Sequence, residues 1–253
     1  MCIVLCTSLK RKDSMIWNKK FIYPPSTRSL VDGKRHYDIT GQKLPSVTTI
    51  LSATQSEEKK KSLANWQARM GKQTADRIRD ISAMRGTVMH TYLEGYINNT
   101  PHLDLTSVGK EAGRMANIVV ESGLGDLGEV WGSEVTLYYP GLYAGQTDVV
   151  GIYNGRESII DFKQTNKPKQ REWIDDYFTQ LAAYAMAHNH VYGTAIQSGV
   201  ILMCSKDGFF QKFEVFDKEF QGYMHTFLKK VDQYYANVPK TEEAQGTKYD
   251  QKV

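Results

Sequence analysis

The dipeptide Asn154-Gly155 constrains this chain more than any other local feature. It separates two apolar runs, residues 143–153 and 157–163. Asn-Gly in that setting favours a two-residue type I′ turn, whose central residues both take positive φ. The turn type then fixes the strand register. With Tyr153 opposite Arg156, continued pairing puts Asp148 opposite Asp161 and Gln146 opposite Lys163. Side chains on a strand alternate with period two, so Asp161 and Lys163 share a face.

Two aspartates facing each other repel by about 0.2–1 kcal/mol. The penalty grows where Val149, Val150, Ile159, Ile160 and Phe162 exclude water. Two resolutions are open. One carboxyl keeps its proton, or a divalent cation sits between the two, and oxygen ligands of this kind suit Mg²⁺ or Mn²⁺. Lys163 is then either a simple salt-bridge partner or part of a site for phosphodiester hydrolysis. In such a site a metal polarises the phosphate, and a lysine places the water or stabilises charge on phosphorus. Acid-x-Lys alone carries little weight, because it recurs at Asp32–Lys34, Glu57–Lys59, Glu58–Lys60 and Asp250–Lys252. Asp161–Lys163 differs in ending an apolar strand and in having a facing carboxylate.

The rest of the chain supplies a frame. Residues 1–45 read as short strands and turns, and a helix starts near Ser46 or Thr48. Residues 57–98 read as helical with a break at Gly71, carrying an apolar stripe through Ile78, Ile81, Val88, Leu93 and Ile97. A helix over 107–124 precedes three strands (131–139, 143–153, 157–163), a helix over 175–190, two strands (198–204, 209–216) and a helix over 217–236. This order predicts an α/β fold with a mixed sheet and helices against it. One domain is expected: an N-terminal extension to residue 45, a helical region over 46–125 partly outside the sheet, a core over 126–236 and a loose tail from 237.

The net charge of +4 permits an acidic partner without requiring one. Between Glu57 and Arg85, eight Lys/Arg face four Asp/Glu, a local excess of four positive charges. A second basic patch is Lys163, Lys167, Lys169 and Arg171. The three cysteines, Cys2, Cys6 and Cys204, have no zinc-like spacing and are too few for four thiolates on an iron–sulfur cluster. No apolar run reaches the roughly 18 residues of a membrane span. The N-terminal apolar run precedes its basic residues, the reverse of a signal peptide, so a cytoplasmic protein is expected.

The segment GQTDVVGIYNGRESIIDFKQT resembles the core of the PD-(D/E)XK nuclease superfamily, in its RecB-like branch. RGTVMHTYLEG resembles that branch's helical Gly-x-x-x-His-x-x-x-Glu motif through Gly86, His90 and Glu94. Glu134 stands where the family often has an acidic strand residue, and QLAAYAMA resembles its Gln-x-x-x-Tyr motif through Gln180 and Tyr184. PSVTTIL and GVILMCSKDG are similar to segments of the mitochondrial genome maintenance exonuclease group and its phage relatives. The resemblance spans roughly residues 44–235.

It implies a restriction-endonuclease-like core and a Mg²⁺- or Mn²⁺-dependent exonuclease of single-stranded DNA. Asp148, Asp161, His90, Glu134 and the backbone carbonyl of Phe162 are the implied metal ligands, with Lys163 and Glu94 assisting the chemistry. Several relatives carry cysteines for an iron–sulfur cluster, and those are missing, so a cluster-free member is expected. A phage or bacterial member fits better than a mitochondrial one. Taken alone, His90 is a structural helix histidine as readily as a ligand, Glu94 a solvated charge, Glu134 an edge acid, and Gln180 with Tyr184 a buried polar pair. Ser46 and Thr48 cap a helix or meet phosphate. Trp66, with Arg69, Arg85 and Lys167, makes a stacking and phosphate surface for a single strand, or merely a solvated basic face. The competing readings are a flap endonuclease or recombination subunit, with the same chemistry, and a non-catalytic DNA-binding module.

Overall fold

The computed structural model describes residues 15–237. Cys2, Cys6, the Asp250–Lys252 pair and the expected tail after residue 237 lie outside the described residues. Among the described residues, no helix is long and apolar enough to cross a membrane.

The N-terminal stretch forms a short strand, β1 (Ile16–Trp17), and a three-stranded antiparallel sheet of β2 (Ser26–Val31), β3 (Lys34–Ile39) and β4 (Gln42–Pro45). Its turns, Asp32-Gly33 and Thr40-Gly41, take positive φ throughout, as Asn154-Gly155 does. Four helices follow: α1 (Val47–Ala53), α2 (Glu57–Met70), α3 (Lys72–Asn98) and α4 (Ser107–Ser122). Ser46 caps α1 by accepting the Thr49 N–H at 2.9 Å. Gly71, at φ 77°, makes the expected break between α2 and α3, a conformation that a side chain would strain.

The remaining elements are β5 (Leu127–Tyr139), β6 (Tyr143–Tyr153), β7 (Arg156–Thr165), α5 (Asp175–Tyr192), β8 (Ser198–Ser205), β9 (Phe210–Phe216) and α6 (Asp217–Asn237). They complete a six-stranded mixed sheet in the order β1-β5-β6-β7-β8-β9. β5, β6 and β7 are an antiparallel meander, whereas β8 runs parallel to β7 because α5 carries the chain back across the sheet. Alternation along the strands sends Val150, Ile159 and Ile201 into one core with α5 and α6. Val149, Ile160, Val200 and Leu202 enter another with α3 and α4. Both faces of the central strands are covered, which explains their near-continuous apolar runs. The architecture is the expected α/β one, a central mixed sheet flanked by helices.

Two expectations about α3 change. The apolar stripe is displaced: Ile81 is exposed, and the buried row is Arg85, Met89, Leu93 and Ile97 at a spacing of four. A helix's inner face is chosen by what it meets, and here an arginine meets buried acceptors. Arg85, expected among the DNA contacts, is 3% exposed. Its guanidinium donates to Gln164 Oε1 at 2.8 Å, to Glu111 Oε1 at 3.2 Å and to Asn166 Oδ1. Gln164 in turn donates to the Ser82 carbonyl at 2.8 Å, and Asn166 to Ser82 Oγ at 3.2 Å. This clasp fastens α3 to the end of β7. Breaking a buried charge network by removing one partner is strongly destabilising. Arg85→Ala is therefore expected to lower unfolding stability by about 3 kcal/mol in urea titrations. A loss below about 1 kcal/mol would show that the clasp does not hold α3 in place.

Candidate active site

The β6–β7 ladder runs as expected from Tyr153–Arg156 to Val149–Ile160 and then stops. The expected facing pairs Asp148–Asp161 and Gln146–Lys163 do not form. Beyond Val149 the two strands belong to different neighbours. β5 keeps β6, through Ser133–Val149 and Val135–Thr147, while β8 keeps β7, through Asp161–Ile201 and Lys163–Met203. In the fork between them, the Phe162 N–H donates to Asp148 Oδ2 at 2.6 Å. A side-chain carboxylate thus replaces the missing backbone acceptor.

The residue across from Asp148 is Glu134, between the paired positions Ser133 and Val135 on β5. It has φ 54°, in the left-handed region. Gln146, instead of reaching Lys163, pairs with Thr136 and donates to the Glu134 carbonyl at 3.1 Å and to Glu134 Oε2 at 2.7 Å. From α3, His90 places Nδ1 3.2 Å from Asp148 Oδ1 and its ring edge-on to Phe162, with centroids 6.2 Å apart. His90, Glu134 and Asp148 each offer one ligand atom within 4.8 Å of the others. Asp161 lies beside this trio, buried, with the Lys163 ammonium against its Oδ2. That oxygen takes no hydrogen bond of normal geometry.

The charges crowd one another. Burial, then the Asp148 charge, push the Glu134 carboxyl up to about 8. Burial also raises Asp161, to about 6, although Lys163 holds it down. Burial works against a charged His90, but the Asp148 carboxylate outweighs it and lifts the imidazole to about 9. Burial likewise opposes the charged forms of Asp148 and Lys163. His90 keeps the first below its ordinary value, and Asp161 keeps the second above its own. Glu94, four residues beyond His90 on α3, adds its negative charge to those acting on Glu134.

A divalent cation fits this donor set. One imidazole and two carboxylates are hard or borderline ligands, without a thiolate. Asp161, whose Oδ2 is held by the Lys163 ammonium, adds a further carboxylate beside the trio.

A cavity of about 170 Å³ opens beside the trio. Glu134 and Asp148 line it with Ser46, Thr48, Gln180 and Tyr184. Gln180 donates to the Tyr184 hydroxyl at 3.0 Å rather than supporting Lys163, and burial raises the Tyr184 phenol well above its usual range. The Tyr184 ring sits so near β6 that a Cβ at Gly145 would lie 2.6 Å from its Cε1. Sequence reasoning missed Arg35 and Tyr37, which β3 brings to the same cavity. The Asp32-Gly33 hairpin signal that positions them was legible by the rule applied to Asn154-Gly155. It also missed Tyr177, whose ring centre is 5.1 Å from Lys163 Nζ. Trp66 and Arg69 stand apart from the trio, in a separate groove beside α2. Lys167 is exposed just past β7.

No protein-family model matches the chain. Among characterised proteins, the chain is 29% identical over 222 residues to mitochondrial genome maintenance exonuclease 1 of Mus musculus, covering 80% of this chain and 64% of that protein. Its counterpart in Xenopus tropicalis is 30% identical over 175 residues, covering 65% and 49%. This chain resembles exonucleases. It spans between about half and two thirds of the length of these relatives. Among solved structures, a candidate exonuclease of Eubacterium rectale superposes with a TM-score of 0.46 at 14% identity, over 62% of this chain and 65% of its own. The nuclease resemblance carried by the sequence motifs is met again in the similarity to the Mus musculus exonuclease over 80% of this chain.

The raised values at Glu134 and His90 predict how a cation binds. At pH 7 both groups carry protons that a cation must displace. Mn²⁺ binding at pH 7 is expected to release roughly two protons, and affinity to rise as pH climbs toward 9. Calorimetry in buffers of different ionisation enthalpy measures the number. Binding without proton release would place the cation elsewhere.

Proposed function

We propose that this chain is a Mg²⁺- or Mn²⁺-dependent exonuclease that hydrolyses single-stranded DNA in replication, repair or recombination. The observation that carries the reading is the gathering of His90, Glu134 and Asp148 within 4.8 Å, with the Asp161–Lys163 pair alongside. Similarity to exonucleases over most of the chain supports it.

His90, Asp148 and Glu134 would hold the cation, and Asp161 and the Phe162 carbonyl would be its further ligands. When bound, the cation polarises the phosphate and makes a water more acidic. Lys163, kept charged by Asp161 and Asp148, stabilises the negative charge that builds on the phosphoryl oxygens. The Tyr184 hydroxyl keeps its proton and accepts from Gln180, leaving it free to donate to a phosphate in the cavity. Ser46 and Thr48 offer hydroxyls to the same volume. Glu94 acts on Glu134 through its charge. Lys167, exposed past β7, attracts the DNA backbone.

Digestion of end-blocked linear single strands with Mn²⁺ tests activity and direction together. Asp161→Ala is expected to slow cleavage by at least about a hundredfold while retaining DNA binding. Undiminished cleavage by that variant overturns the site. Cutting of a circular single strand removes the need for an end, and the flap-endonuclease reading then takes over.

A further inference from the structure

Helix α2 has no buried residue. An isolated helix of 14 residues is marginal in water, and one without a packed face needs another reason to stand where it does. Its Lys59 reaches Asp176 at the start of α5, with Nζ 2.7 Å from Oδ2. Between the two helices lies an open groove of about 850 Å³. Trp66 lines it from α2, and Trp173 and Tyr177 from the α5 side. Trp173 is 60% exposed.

The groove does not end blindly. Tyr177, Gln180 and Tyr184 follow one another at spacings of three and four, so they share one face of α5 over about 10 Å. Tyr177 lines the groove and has Lys163 against its ring, whereas Gln180 and Tyr184 line the cavity with Asp148. A single row of side chains therefore leads from the exposed Trp173 and the half-buried Trp66, past the lysine, to the carboxylates.

We propose that this groove holds the nucleobases of a single DNA strand, stacked on Trp66 and Trp173, with the backbone passing Tyr177 to bring the scissile phosphate to Lys163. The inference rests on the nuclease reading and extends it to the part of the protein that selects unpaired DNA. Exposed aromatic rings stack on bases of any sequence, provided those bases are not already stacked in a duplex. Charge in the groove is nearly balanced, since Glu58 and Asp176 offset most of Lys59, Lys61 and Arg69. Stacking, more than phosphate attraction, therefore sets affinity there.

Anisotropy titrations of a labelled single strand, in EDTA to prevent cleavage, test this with Trp173→Ala, Trp173→Phe and Arg69→Gln. Trp173→Ala is expected to weaken binding by about tenfold to a hundredfold, without changing its salt dependence, and Trp173→Phe to restore much of it. A strand with abasic sites near its end should bind the wild type and Trp173→Ala alike. Arg69→Gln should reduce the slope of log K against log salt by about 0.7. Equal binding of the intact strand by wild type and Trp173→Ala overturns the groove assignment while leaving the nuclease reading in place. Failure of the wild-type protein to bind or cut any single strand overturns both.

Discussion

The carboxylate of Asp148 is the point on which the rest depends. One oxygen accepts the Phe162 N–H at the fork, and the other meets His90 of α3. Without the first contact, a buried amide would be left unpaired, at about 1–3 kcal/mol. Without the second, the imidazole would lose the charge that keeps it protonated. The same side chain thus lets two strands part and ties a helix to the gap they leave. The candidate site in this chain is a consequence of ending the β6–β7 ladder at Val149–Ile160.

The parting also decides which acids meet. Had the ladder continued, Asp148 and Asp161 would have been neighbours in the hydrogen-bonding plane. Instead β8 holds Asp161 with its lysine, and β5 delivers Glu134 into the space opposite Asp148. The two sides differ electrostatically: the β7 side carries its own counter-charge, and the β5 side does not. The burden falls on Glu134, which is pushed furthest toward its neutral form. A divalent cation and a proton are alternative answers to the same repulsion, and pH sets the balance between them.

Most of the frame was legible because it follows from local rules. Asn154-Gly155 gave the hairpin, Gly71 the helix break and Ser46 the cap, each through backbone geometry that one or two residues dictate. The register failed at Asp148 because strand neighbours in other parts of the sequence compete for the same backbone groups, and no turn encodes that competition. Arg85 is buried, against expectation, for a similar reason. A basic residue on a basic helix looks solvated until Gln164, Asn166 and Glu111 are brought around it from elsewhere. Tyr177 reaches the site through tertiary packing and carries no motif, whereas the hairpin that positions Arg35 and Tyr37 was legible at Asp32-Gly33. Asp148, Glu134, Gln180 and Tyr184 were found as candidates and meet at one cavity, whereas Trp66 and Arg69 belong to a different groove.

Glu134 has a further consequence. A residue with a Cβ held at φ 54° pays about 1–2 kcal/mol against the ordinary helix or strand regions. Glycine would relieve that strain and end the repulsion with Asp148 in one step. At position 134, selection for a sturdier fold and selection for a complete ligand set pull in opposite directions. Under the proposed function, Glu134 sets fold stability against the ligand set that the reaction requires.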